Sequence, residues 1–144
     1  MRLRLISLLV LFAAATVPAV ALASHTGTLE FEAYLLGKSE VPKGAPAGKA
    51  TAKVTITSTK VCWKFIGVKG IDKVTAAHIH KGNAGKSGNV IVAFFAGPLK
   101  LKGCATAKAS DAKAIAANPK AYYVNIHTVK YPAGAVRGQL HAGD

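Results

Sequence analysis

Strict alternation of apolar and polar side chains, in short runs that each end at a turn signal, constrains this fold most. Leu29, Phe31, Ala33 and Leu35 alternate with Glu30, Glu32 and Tyr34, and Gly37 ends the run. Ala50, Ala52, Val54 and Ile56 alternate with Lys49, Thr51, Lys53 and Thr55. Val61, Trp63 and Phe65 share a face of the run that follows. Period two is the signature of an extended strand with one face in a core and the other in water.

The punctuation agrees with that reading. Pro42, Gly44, Pro46 and Gly48 mark residues 38–48 as a loop, and Ser58-Thr59 predicts a tight turn. Further strands are predicted over Val74–His80, Tyr122–His127 and Ala135–His141, with a short one around Cys104. Asn89–Phe95 is nearly continuous in apolar residues and reads as a buried strand. Ser110 is placed to cap a brief helix over Asp111–Ala117, which Pro119 stops. Short strands with frequent turns predict an antiparallel β-sandwich or flattened barrel. No internal repeat and no second domain are visible.

Residues 1–23 have a basic start, a short apolar stretch and Ala21-Leu22-Ala23, the pattern of a secretory signal peptide cut after Ala23. The apolar stretch is short for a bilayer span, and nothing later resembles one. Residues 24–144 are then a single exported domain. An exported chain whose only cysteines are Cys62 and Cys104 is expected to join them in one disulfide. Two thiols alone do not complete a structural zinc site. The formal charge of +13 is almost all lysine, scattered over polar strand and turn positions. Such a surface suits solubility and attraction to anionic cell-surface polymers. It has neither the dense basic block nor the aromatic interleaving of nucleic-acid recognition. Arg137 is the only arginine beyond Arg4, which suggests use of the planar guanidinium fork. It either bonds loop carbonyls or a carboxylate, or it faces a metal site.

That metal site would be built from His78, His80 and His127. In a strand, His78 and His80 project from the same face. His127 ends another strand-like run, so a meeting of the strand ends would gather three imidazoles. Zinc, copper, iron and nickel all suit imidazole. The competing reading is three structural, hydrogen-bonded histidines. His25 and His141 are accessory candidates, one near the mature N-terminus and one on the strand face of Arg137 and Gln139. Gly85-Lys86-Ser87 is no phosphate loop, because His80 stands where the motif needs its first glycine. The glycine-rich segment is expected instead to turn the chain sharply away and leave His80 at an open rim. No Gly-x-Ser-x-Gly elbow is present. Glu30 and Glu32 read as a solvated strand face rather than a glycosidase pair.

Several ordered motifs carry a family resemblance. Leu36-Gly37-Lys38-Ser39-Glu40-Val41-Pro42, Ala77-His78-Ile79-His80-Lys81-Gly82, Tyr123-Val124-Asn125-Ile126-His127-Thr128 and Gly134-Ala135-Val136-Arg137-Gly138-Gln139-Leu140 resemble segments of the CHRD (chordin) domain family. That family is in turn similar to the copper/zinc superoxide dismutase sandwich. The resemblance implies an all-β fold: an immunoglobulin-like, superoxide-dismutase-like antiparallel Greek-key β-sandwich, here with one short helix. It implies copper, with zinc as the alternative, on His78, His80 and His127. It further implies Arg137 as an anion-guiding group and Cys62–Cys104 as a structural disulfide. The chain departs from the dismutase pattern in lacking histidines from Lys81 to Ile126, so a zinc subsite and an imidazolate bridge are not expected. The long loop between the last histidine and the arginine is missing too. A secreted copper-binding module is the leading expectation. An extracellular binding or scaffold domain with structural histidines comes second, and a dismutase-like oxidoreductase third.

Overall fold

A computed structural model describes residues 27–143. The leader, its cleavage site and His25 lie outside the described residues. Among those described, nine strands follow in order: β1 Leu29–Leu36, β2 Lys49–Thr57, β3 Lys60–Lys69, β4 Val74–Lys81, β5 Val90–Ala96, β6 Lys102–Thr106, β7 Tyr122–Thr128, β8 Val136–Gln139 and β9 His141–Ala142. One α-helix, α1 Ala109–Ala117, precedes β7. The fold is all-β, and every ladder is antiparallel. No helix among the described residues is long and apolar enough to cross a membrane.

The strand order is β5-β4-β7-β8-β1-β2-β3-β6, with β9 beside β1. Its two ends, β5 and β6, pack near each other, so the sheet almost closes on itself. Followed round that near-closed path, the links β3–β4 and β6–β7 each skip two strands, which is Greek-key connectivity. One wall is β5-β4-β7-β8 and the other β1-β2-β3-β6. They are joined at one seam by a single register pair, Leu36 with Arg137.

The alternation seen in the sequence fills the space between the walls. Phe31, Leu35, Val54, Val61, Trp63 and Phe65 from one wall meet Ile79, Phe94, Val124, Ile126 and Val136 from the other. The Trp63 and Phe94 rings lie nearly parallel with centroids 4.8 Å apart. The buried indole satisfies its N–H by donating to the Lys100 carbonyl at 3.0 Å. Helix α1 adds Ala112 and Ile115 to this core. Cys62 and Cys104 are register partners on β3 and β6 and are disulfide-bonded. Their bond lies on the outward face, because Val61 and Trp63 on either side of Cys62 point into the core.

Three local expectations are corrected. Ser110 does not cap α1; it lies inside the first turn, and the cap position is Lys108 with no side-chain hydrogen bond. The Asn89–Phe95 run is not a fully buried strand but an edge strand, β5, with Val90 48% exposed. Its register against β4 shifts between Ala77 and His78 and again between Ile79 and His80. Continuous apolar character does not distinguish a central strand from an edge that buries one face. The predicted strand over Ala135–His141 is split into β8 and β9 at Leu140, whose side chain is fully buried.

Candidate metal centre

The site is assembled by register. β4 and β7 set Ala76 opposite His127, His78 opposite Asn125 and His80 opposite Tyr123. β7 and β8 set Asn125 opposite Arg137 and Tyr123 opposite Gln139. Directly opposed residues project from the same face of a sheet. Ile79, Val124, Ile126 and Val136 occupy the core face, so the polar set forms one patch on the outside of this wall. The loops around residues 37–48, 82–89 and 129–135 close over that patch. Hydrogen bonds from the patch to Gly88, Lys86 and Pro132 tie two of them down.

Within the patch, one ligand atom from each of His78, His80 and His127 lies within 4.8 Å of the other two. His78 Nδ1 is 3.0 Å from His127 Nε2. The His80 Nδ1–H donates to the Gly88 carbonyl at 2.8 Å, and the His127 Nδ1–H donates to the Pro132 carbonyl at 2.9 Å. A carbonyl can only accept, so in the neutral rings both Nε2 atoms carry lone pairs. His78 Nδ1–H is then the donor to His127. His80 Nε2 is buried and has no partner. A buried lone pair without a donor is an uncompensated cost, and a cation between the three rings would remove it. Imidazole nitrogens bound at about 2.0–2.1 Å from one ion stand roughly 3–4 Å apart. The donor set therefore fits a metal after a small closure and transfer of the His78 proton away from Nδ1.

Charge prepares the same outcome. Burial pushes the His78 pKa down to about 4, with the neighbouring His127 and His80 adding to the effect. Burial also lowers His80, opposed by its bond to Gly88 and reinforced by His127 and Arg137. Neutral imidazole is the metal-binding form. His80 is 8% exposed, whereas His78 and His127 are half-buried and leave a way in.

The glycine-rich segment does not leave His80 at an open rim as expected. It folds back over the ring, with Lys81 N–H donating to the Asn89 carbonyl. A β-carbon on Gly88 would collide with the Lys81 carbonyl, so this return needs glycine there. Arg137 is also enclosed, at 2% exposure. Its guanidinium carbon lies 4.2 Å from the centre of the Tyr123 ring, and Nη1 donates to the Lys86 carbonyl at 3.0 Å. His80 stacks on the same tyrosine at 4.9 Å with planes 5° apart. Nη2 of Arg137 is buried without a partner. Beyond Arg137 lies a cleft of about 570 Å³ between residues 38–43 and the loop tip at Ala84 and Gly85.

Three residues of the patch draw no role from the sequence reading. Tyr123 and Asn125 share the strand face of His127 by period two, which is a readable signal. Glu40 comes from the distant β1–β2 loop, and its one sequence signal is its place in the Leu36–Pro42 family motif. It is 4% exposed, and burial pushes its pKa up to about 7 against the pull of Arg137. His141 does not join the cluster: it sits opposite Glu32 and stacks on Tyr34 at 5.2 Å. A family model described as the CHRD domain matches residues 31–140, which include every strand and loop of the patch. No curated protein and no solved structure matches the chain.

Proposed function

The chain belongs to the CHRD domain family, and from that premise we propose that it is a secreted module holding one copper ion on His78, His80 and His127. Zinc is the alternative metal. One observation carries the reading. Three imidazoles converge, and the outer nitrogens of two are anchored on backbone carbonyls that turn their lone pairs toward a common point. Such outer bonds orient a ligand and raise its basicity. Secretion is supported by the leader pattern in residues 1–23 and by the Cys62–Cys104 bond.

Copper would supply one-electron chemistry or simple coordination at this point. The chain's own residues favour holding over turnover. Arg137 is roofed by the Lys86 loop and bonded to its carbonyl, which is poor placement for guiding an anion from solvent. Storage, delivery or sensing of the metal is the reading consistent with that enclosure. The rival reading keeps the His78–His127 hydrogen bond as purely structural. Titration of residues 24–144 with Cu(II), followed by electron paramagnetic resonance, separates the two. One tight copper per chain with nitrogen coupling, lost in both His78→Ala and His127→Ala, supports the site. Absence of tight copper or zinc binding leaves the histidines structural and removes the proposal.

A further inference from the structure

The register of the opposite wall gathers lysines that are dispersed in the sequence. Lys53 of β2 stands directly opposite Lys64 of β3, and Lys64 directly opposite Lys102 of β6. All three project outward and are exposed. Neighbouring strands are about 4.8 Å apart, so three like charges form a row across the sheet. Like charges directly opposed are destabilising, and nothing in the packing requires them. Glu32, opposite Lys53 at the row's end, bonds it at 2.7 Å. Lys64 and Lys102 have no ion pair among the described residues.

The rest of this face says what such a row would meet. Thr51 and Thr55 flank Lys53 on the outward face of β2, and the Cys62–Cys104 bond stands beside Lys64 and Lys102. Tyr34, 59% exposed and stacked on His141, stands at the margin beside Thr51. A shallow groove of about 300 Å³ lies at the β1–β3 end of the row, lined by Lys53, Lys64, Thr55 and Cys62 together with the carboxylates Glu30 and Glu32, and Lys102 stands outside it. The face has no arginine for bidentate phosphate contacts. Its point charges, hydroxyls and exposed ring suit carboxylates and hydroxyls carried on sugar rings. The strand spacing is also close to the length of one residue in an extended saccharide chain.

We infer that the outer face of β2, β3 and β6 is a docking surface for a linear acidic polysaccharide, laid across the strands along Lys53, Lys64 and Lys102. The inference is independent of the metal reading, because the two surfaces lie on opposite walls.

The test uses residues 24–144 and polygalacturonate oligomers, with neutral dextran and inorganic polyphosphate as comparators. Binding is measured at low and at raised salt. The double variant Lys64→Thr/Lys102→Thr is expected to weaken polygalacturonate binding about tenfold and to flatten its salt dependence, since two counterion-releasing contacts are lost. Lys113→Thr/Lys120→Thr removes equal charge from α1 and the turn that follows it, and is expected to leave affinity within about twofold. Lys64→Gln/Lys102→Gln repeats the loss with a different side chain should the threonine variant fold poorly. Equal loss in the two threonine variants would show that net charge alone binds, and would overturn the inference. So would absence of binding, or polyphosphate bound as tightly as polygalacturonate through the same lysines.

Discussion

Glu40 and His78 respond to pH in opposite senses, although both are affected chiefly by burial. Glu40 keeps its proton in the folded protein up to about pH 7, whereas the unfolded chain releases it near 4.5. The native state binds the extra proton across that window, so Glu40 makes stability fall as pH rises from about 4.5 to 7. Glu40→Gln is expected to remove this penalty. It should gain on the order of 2 kcal/mol over the parent above pH 7 and nothing below the unfolded pKa. His78 is the reverse case, with a folded pKa near 4 against 6.5 unfolded, so its contribution to stability grows as pH rises through that range. Urea midpoints taken across pH 4–8 check both signs: the Glu40→Gln variant should show the rising histidine slope no longer opposed by the carboxyl. A gain already present at pH 4 would mean that the substitution acts through packing rather than through the lost charge.

At the scale of an element, β6 is an end strand of the near-closed sheet. It has one ladder neighbour, β3, one covalent tie through Cys104, and one close approach in which Gly103 lies against the edge of the Trp63 ring. A β-carbon at Gly103 would overlap that ring, which is itself fixed by Phe94 and by its bond to Lys100. Gly103→Ala is therefore expected to cost about 1–3 kcal/mol, as overpacking does when neighbours cannot yield. The tryptophan emission should shift as the indole is displaced. Gly67→Ala is the matched control: that position has open space and a φ of 63°, so it should lose stability without moving Trp63 emission. An unchanged melting temperature for Gly103→Ala would show that the Trp63 ring yields at little cost. The short helix α1 was legible from Pro119 and the alanine-rich run, but its start was not. The real cap position, Lys108, lacks the side-chain oxygen that cap recognition depends on.

For the molecule as a whole, the proposed metal would be linked to the fold. A ligand that binds only the native state stabilises it by about 2.7 kcal/mol at one hundred times its dissociation constant. For a domain of this size that is a rise of several degrees in melting temperature. Chelator-treated protein is expected to melt below the copper-loaded form, and the increment should vanish in His78→Ala while persisting in His141→Ala. An increment kept by His78→Ala would place the copper elsewhere. The disulfide, with a sequence separation of 42 residues, restricts the unfolded chain independently of the metal. The disulfide and the proposed metal lie on opposite walls, so their effects should be close to additive.

The sequence alone determined which side of each alternating strand faces the core, and it named three histidines as candidates for one site. Alternation at period two assigned inward and outward residues in β1, β2 and β3, because strand side chains can point only two ways. The same rule put His78 and His80 on one face, and the motifs around His127 and Arg137 carried the family. What alternation does not encode is which strands become neighbours. That choice is settled by how the two apolar faces fit over a common core, a property of all the strands at once. Only tertiary structure therefore set Ala76 opposite His127 and brought the third imidazole to the pair. It likewise buried Glu40 from a loop and folded the glycine segment over His80. It also turned scattered lysines into a row on the other wall.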